Sequence, residues 1–334
     1  MKRLLVLVAS VFACIGVLTG FASAQDVTKL SFSIWQQPEH YMVKAIRSWA
    51  DDVEKKTDGK VKIEFYYGGT LTSGPQAYDG IVNGISDIAA AASGWNPGQF
   101  PMTRIADIPL GWTSSRQASL VTWDFYKKYQ PKEWDEVHLL YLFTDAIGYL
   151  HTKQPVRTPE DLKGMQIRGT GSDVPLIEAL GGTPVGMPFG ETYLALQRGI
   201  VQGMVSNLAS VQAAKIGEVV DYTTDLNIRP ANFWVAMNKQ KWEGLSPDVQ
   251  KAIDEASEAA VVGLGEALDN AQAAGRAYVL EQGNEIIEPT PEAKAKFEEL
   301  LKPIRTQWVD EMKAKGLPGA EVLEFVTAAM KERQ

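Results

Sequence analysis

The sequence predicts an α/β protein in two lobes, with a cleft between them and one long helix bracing both. Three observations predict it. Strand and helix signals alternate from residue 30 to 92, they alternate again from 158 to 220, and helical spacing runs unbroken from Ser246 to Ala274. An alternating β/α series forms a mainly parallel sheet with helices on its faces. Two such series therefore give two sheets.

The first series opens at residues 30–35, where apolar and polar residues alternate as on a half-buried strand. From His40 to Lys56, the residues Met42, Val43, Ile46, Trp49, Ala50 and Val53 fall on one helical face. Residues 60–66 alternate again, and Gly68-Gly69 breaks the pattern. Gly74-Pro75 starts a second helix ending near Gly84. Residues 87–92 are a short apolar run, the mark of a strand buried on both faces.

The second series starts at Thr158-Pro159-Glu160-Asp161, a cap residue followed by proline and acids in the first turn. Gly164 ends that turn, and 165–168 is a strand. Ser172-Asp173 caps a helix through Leu180, stopped by Gly181-Gly182. A strand at 183–187, a helix at 188–198, a strand at 202–206 and a helix at 210–220 follow. Ser246-Pro247-Asp248 opens the long helix, along which Val249, Ala252, Ile253, Ala256, Leu264, Leu268 and Ala271 keep helical spacing. Pro289-Thr290-Pro291 interrupts the chain before two more helices, at 292–315 and 319–331.

The N-terminus predicts export. Lys2 and Arg3 precede an apolar run over 4–21, and Ala22-Ser23-Ala24 is a small-residue cleavage site, so residues 1–24 read as a signal peptide cut after Ala24. Cys14, the only cysteine, lies inside that segment. The balance of 41 acidic against 33 basic residues argues against nucleic acid and against anionic membrane surfaces as partners. No later segment is long and apolar enough to span a bilayer, so a soluble monomer is expected.

Catalytic signatures are thin. His40, His138 and His151 are isolated, and without a cysteine partner no zinc site is expected. There is no G-x-S-x-G elbow, and Gly169-Thr170-Gly171 has Val174 where a dinucleotide loop needs its third glycine. No enzyme, cofactor or metal is expected. Arg168 stands out instead. It ends a predicted strand just before a glycine loop and a helix start, where open α/β sheets bind ligands. Its guanidinium offers a rigid fork that matches a carboxylate, and a helix start adds N–H groups that favour an anion. Trp35, Trp95 (after the Ser93-Gly94 turn), Phe189 and Phe233-Trp234 also stand at strand ends or loops. Rings at such places are either core or the wall of a ligand cleft.

The segment Leu162 to Arg168 (LKGMQIR) resembles the L-K-G-x-K-I-R stretch of the TRAP-transporter solute-binding proteins, the DctP family. ALGGTPV at 179–185, MPFGETY at 187–193, Ala195-Leu196-Gln197, Val201-Gln202-Gly203, KIGEVV at 215–220 and Met237-Asn238-Lys239 match in order. The resemblance implies a two-lobed periplasmic binding protein fold with hinge strands and a bracing helix. It places residues 25–145 and about 236–270 in lobe I, and 146–235 and about 271–334 in lobe II. It implies a periplasmic carrier that hands a small organic carboxylate to membrane permease subunits. Arg168 would bind the carboxylate, Phe189 would pack on the ligand, and Ser206 and Asn207 would face it. Ser93, Tyr149, Asn232 and Trp234 complete the expected lining, and the bend is expected near 145–149 and 230–235.

The chain departs from the sugar-acid binders of that family. It has Met204-Val205-Ser206 in place of Q-E-N, Ile147-Gly148-Tyr149 where a second arginine stands, Trp35 for a polar residue and Ala92 for an acid. One anion anchor in an otherwise apolar pocket points to a monocarboxylate with an apolar or aromatic body, because a buried polar group without a partner costs about 1–3 kcal/mol. The alternatives are a C4 dicarboxylate met by Asn207 or Asn232, the same role for an ATP-driven importer, and a secreted enzyme.

Overall fold

In the computed structural model the chain is described over residues 27–96, 98–169 and 171–333. The predicted signal peptide and its cleavage site lie outside the described residues. The first half comprises β1 (Thr28–Ser33), α1 (Tyr41–Lys56), β2 (Val61–Tyr66), α2 (Ala77–Val82), β3 (Ile88–Ala92), α3 (Ser115–Tyr129) and β4 (Val137–Thr144). Then come β5 (Tyr149–Thr152), β6 (Gln166–Arg168), α4 (Asp173–Ala179), β7 (Thr183–Val185), α5 (Thr192–Gln197), β8 (Gly203–Ser206), α6 (Leu208–Ala213) and β9 (Tyr222–Thr224). The chain ends with β10 (Asn232–Asn238), α7 (Lys239–Glu243), α8 (Pro247–Glu281), β11 (Glu285–Ile287), α9 (Pro291–Ala314) and α10 (Gly319–Glu332).

Two sheets form, as the repeated series predicts. The first has the order β2-β1-β3-β10-β4 and the second β11-β9-β5-β8-β6-β7. β1, β2 and β3 run parallel, and every residue of β3 is buried, as expected for a strand covered on both faces. The α1 face is the one read from the sequence: Met42, Val43, Ile46, Trp49, Ala50 and Val53 are its buried residues. What local pattern does not reveal is long-range pairing. β10 enters the first sheet antiparallel between β3 and β4, although it begins 140 residues after β3 ends, with Phe233 opposite Ala92. That is topology rather than periodicity.

Several expected helices are shorter than their patterns. The Thr158 start carries its capping box, but the helix is only a 3₁₀ turn, Pro159–Leu162, closed by Gly164 in the left-handed region. The expected helix at 188–198 is a 3₁₀ turn, Phe189–Glu191, followed by α5. The helix expected from 210 starts at Leu208, because the Asn207 side chain accepts from the Ser210 N–H and serves as its cap. Ser172 stands before α4 but makes no capping bond. Its hydroxyl points across the cleft instead.

The chain passes between the sheets at residues 145–148 and 225–231. These crossing segments are joined by backbone bonds from Asp145 N to Ala231 O (2.8 Å), from Gly148 N to Arg229 O (2.9 Å) and from Ile228 N to Gly148 O (3.2 Å). α8 runs 35 residues and packs on α1, α3 and α6. α9 spans both halves: Phe297 and Leu301 join the Leu162, Leu176 and Ile177 cluster, while Trp308 and Met312 join Ile105, Trp112 and Val121. α10 packs on α3 through Val322 and Val326.

The α8–α6 crossing depends on glycine. A Cβ at Gly275 would stand 2.2 Å from the Leu208 carbonyl oxygen, closer than atoms can approach. Gly275→Ala should therefore push the brace off α6 and destabilise the protein by about 1–3 kcal/mol, the usual cost of overpacking. Chemical denaturation measures this, and an unchanged midpoint would contradict the tight crossing.

Candidate functional site

A cavity of about 180 Å³ lies where the two sheets face each other, at the carboxyl ends of β3 and β6. The first half supplies an apolar wall. Trp35, two residues past β1, stacks on Phe233 with centroids 5.5 Å apart and planes 3° from parallel. Trp95 stands edge-on to both, at 4.9 and 6.2 Å. Such offset and edge contacts fix the rings and pre-shape an aromatic slot.

The second half supplies Arg168 at the end of β6. It is 7 % exposed, and its Nε and Nη2 donate to the Met187 carbonyl oxygen at 3.3 and 3.1 Å. Its guanidinium carbon lies 5.4 Å from the Phe189 ring centroid, a cation–π arrangement. Burial lowers its pKa, and Asp173 opposes that shift. The group remains charged because its ordinary value is so high.

Seven of the expected site residues line this cavity: Trp35, Trp95, Arg168, Phe189, Ser206, Asn207 and Asn232. Three do not, and each has a local reason. Trp234 follows Phe233 on a strand, so its ring points to the opposite face, into the core against Tyr78, Phe100 and Trp134. Ser93 is fully buried, accepting from Asn232 Nδ2 at 3.0 Å and donating to the Asn232 carbonyl oxygen at 3.3 Å. Tyr149 packs with the hydrophobic cluster around Met204 and Leu208.

The expectation of an otherwise apolar pocket is corrected, because charged groups besides Arg168 line it. Arg229, on the second crossing segment, also lines the cavity and is 8 % exposed. Its Nη1 donates to Asp107 Oδ1 at 3.2 Å and to the Pro230 carbonyl oxygen at 2.9 Å, and its Nη2 pairs with Asp173 Oδ1. Burial disfavours the Arg229 charge, but Asp173 and Asp107 outweigh that penalty and raise its pKa. Asp107 also accepts from the Ser172 hydroxyl at 3.0 Å and from the Asn232 N–H at 3.0 Å. One arginine thus gathers carboxylates from both sides of the cleft.

A second bridge uses Tyr41, the first residue of α1. Its hydroxyl donates to Asp145 Oδ2 at 2.7 Å and lies 2.9 Å from the Ser210 Oγ on α6. With its own proton on Asp145, Tyr41 accepts from Ser210. Asp145 Oδ1 accepts from the Ala146 N–H at 2.8 Å. Burial pushes the Asp145 carboxyl up to about 6, while the Tyr41, Ala146 and Asn207 donors hold it back. Burial pulls His40, at the rim, down to about 4, so it is neutral at pH 7. Among the described residues no group of three or more His, Cys, Asp or Glu is placed to hold a metal ion.

A charged triad that bridges a cleft is costly to break from the middle. Arg229→Met would leave the buried Asp107 without its cation and remove the same cation from the partly buried Asp173. Removing one partner of a buried ion pair costs about 3–5 kcal/mol, and a thermal melt of the variant should show that loss. A melting point within a degree of wild type would show the triad to be solvated.

The family model for bacterial extracellular solute-binding proteins of family 7 matches residues 32–311. Three solved structures share the fold over 92 % of this chain. A TRAP periplasmic solute-binding protein from Desulfovibrio salexigens, an open complex, is 32 % identical with a TM-score of 0.86 and 96 % of its length covered. A TRAP solute-binding protein from Rhodoferax ferrireducens, in complex with copurified benzoate, is 26 % identical at 0.86, with 98 % covered. A marine-metagenome TRAP solute-binding protein specific for aromatic acids, with bound metahydroxyphenylacetate, is 26 % identical at 0.86, with 99 % covered. The C4-dicarboxylate-binding periplasmic protein of Rhodobacter capsulatus is 26 % identical over 91 % of both chains.

Proposed function

This chain belongs to the bacterial extracellular solute-binding proteins of family 7, and from that premise we propose that its cleft captures an aryl monocarboxylate in the periplasm for delivery to TRAP permease subunits. The coarser role is that of a TRAP solute-binding protein for small organic acids, and the family and fold are those of transport proteins, not enzymes. Export by the 1–24 segment, cleaved after Ala24, belongs to the same proposal.

The observation that carries the reading is one cavity holding Arg168 together with the Trp35–Phe233–Trp95 wall. A carboxylate matches the guanidinium fork, and a flat apolar body matches the ring wall. The benzoate and metahydroxyphenylacetate held by two relatives are of that class. A C4 dicarboxylate fits less well. Its second carboxylate would enter a site where Arg229 is already matched by Asp107 and Asp173, and like charges at close range repel.

Arg168→Ala should weaken benzoate binding by about 2–5 kcal/mol, the cost of burying a charge without its partner. Arg168→Lys should also bind worse than wild type, because a point charge does not reproduce the fork. Calorimetric titration reads both, and near-wild-type affinity in the alanine variant would remove Arg168 from the site. A thermal-shift comparison of benzoate, succinate and glucuronate tests the ligand class, and a larger shift with succinate or glucuronate would end the aryl reading.

Closure has its own test. A Cβ at Gly171 would stand 2.2 Å from the Gly94 carbonyl oxygen across the cleft, and Gly171 has a φ of +54°. In small-angle scattering the radius of gyration of the wild type should fall on saturation with benzoate. Gly171→Ala should show little fall and a raised Kd, with an unchanged circular dichroism spectrum. Equal contraction in both proteins would refute this role for the glycine contact.

A further inference from the structure

Three carboxylates line the cavity, and they are not equivalent. Asp107 and Asp173 both pair with Arg229. Asp145, 4 % exposed and also on the cavity wall, pairs with no lysine, arginine or histidine among the described residues. Its neighbours are neutral donors: the Tyr41 hydroxyl, the Ala146 N–H and the Asn207 side chain. A carboxylate offers about four lone-pair sites, so acceptor capacity remains on a buried group that has no counter-charge. A second acceptor on the same wall is in a related state. Asn232, 1 % exposed, uses its Nδ2 on Ser93, but its Oδ1 has no hydrogen-bond partner among the described residues.

A cavity built only for a carboxylate and a bare ring would not keep these groups. A buried acceptor without a donor is a standing cost, and bringing in a second carboxylate beside an unpaired one adds repulsion. Both costs fall if the ligand itself brings a donor. We propose that Asp145 is a specificity-determining residue that accepts a hydrogen bond from a hydroxyl on the ligand, so that the preferred ligands are hydroxyl-bearing aryl carboxylates, held at the carboxylate by Arg168 and at the hydroxyl by Asp145. This rests on the aryl-carboxylate reading above and narrows it. A hydroxyl is chosen over a second anion because the open positions are acceptors, and burial without a counter-charge raises the pKa of Asp145 despite its three donors. The site rejects the unsubstituted acid by leaving its own acceptors unpaired, which discriminates more sharply than a change in apolar contact.

The experiment is a matched ligand series on the full mature chain, by calorimetry at pH 8. The pairs are benzoate with 3-hydroxybenzoate, and phenylacetate with mandelate and with 3-hydroxyphenylacetate. In the wild type at least one hydroxylated acid should bind roughly 10-fold or more tighter than its parent, the scale of a hydrogen bond to a charged group. In Asp145→Asn that ratio should fall to within about threefold, since the amide is a weaker, uncharged acceptor. Parent and hydroxylated acids binding the wild type equally in every pair would overturn the proposal while leaving the aryl reading standing. A preference that survives in Asp145→Asn would overturn the assignment to Asp145. If no aryl acid binds, it is the aryl reading that has failed. The wild-type series decides the first point without the variant, so a poorly folding Asp145→Asn does not leave the proposal untested.

Discussion

The pairing of Arg229 with Asp107 and Asp173 is the interaction on which the geometry of the cleft depends. A lone buried guanidinium would cost several kcal/mol in solvation, and so would two lone carboxylates. Here the cation sits on a crossing segment, Asp107 comes from the first half of the chain and Asp173 opens α4 in the second. Neither half alone assembles the set. The full triad therefore forms only when the two halves face each other, and it reports on the same geometry that brings Arg168 opposite the tryptophans. Ser172 follows from this. A serine before a helix ordinarily caps it, yet this one donates to Asp107. The helix start forgoes a local bond so that a cross-cleft one can form.

Around that triad the cavity is electrostatically divided. Arg229 has two carboxylates for one charge and offers little to an incoming anion, whereas Arg168 donates two of its N–H bonds to a neutral carbonyl at Met187. An incoming carboxylate therefore gains most at Arg168. The ring wall matters to that gain as well as to shape. Trp35, Trp95 and Phe233 exclude water from one side, and charge interactions strengthen as the local dielectric falls. The same low dielectric raises the Asp145 carboxyl to about 6. One physical cause thus strengthens the anchor and makes the unpaired acid conspicuous.

How much of this was legible in the sequence follows the range of the interactions concerned. Elements set by nearest neighbours were readable: the buried face of α1, the fully buried β3, and α8 from Ser246 onward. Arg168 was readable because it sits between a strand, a glycine loop and a helix start, a local signature. Tyr41, Asp107, Asp145 and Arg229 were not. Asp107 lies in a 3₁₀ stretch without periodicity, and Arg229 lies in an irregular crossing segment before Pro230. Their roles come from partners far along the chain, 122 residues apart for the Arg229–Asp107 pair. The assignment of Trp234 failed for a different reason. Local pattern puts Phe233-Trp234 together after a loop, but both residues belong to β10, and on a strand neighbours face opposite ways. Once the strand is known, one ring must face the cleft and the other the core.

The cross-cleft contacts also set what a ligand has to contribute. A ligand shifts an equilibrium between open and closed states only by its differential affinity for them. Tyr41 to Ser210, Ser172 to Asp107, and Arg229 to its two aspartates are contacts within the protein that hold the two halves face to face. They favour that facing arrangement before any ligand is counted. Desolvating the same charges opposes that gain, so the two terms partly cancel. The lobes are thus coupled through charges that the ligand never has to touch.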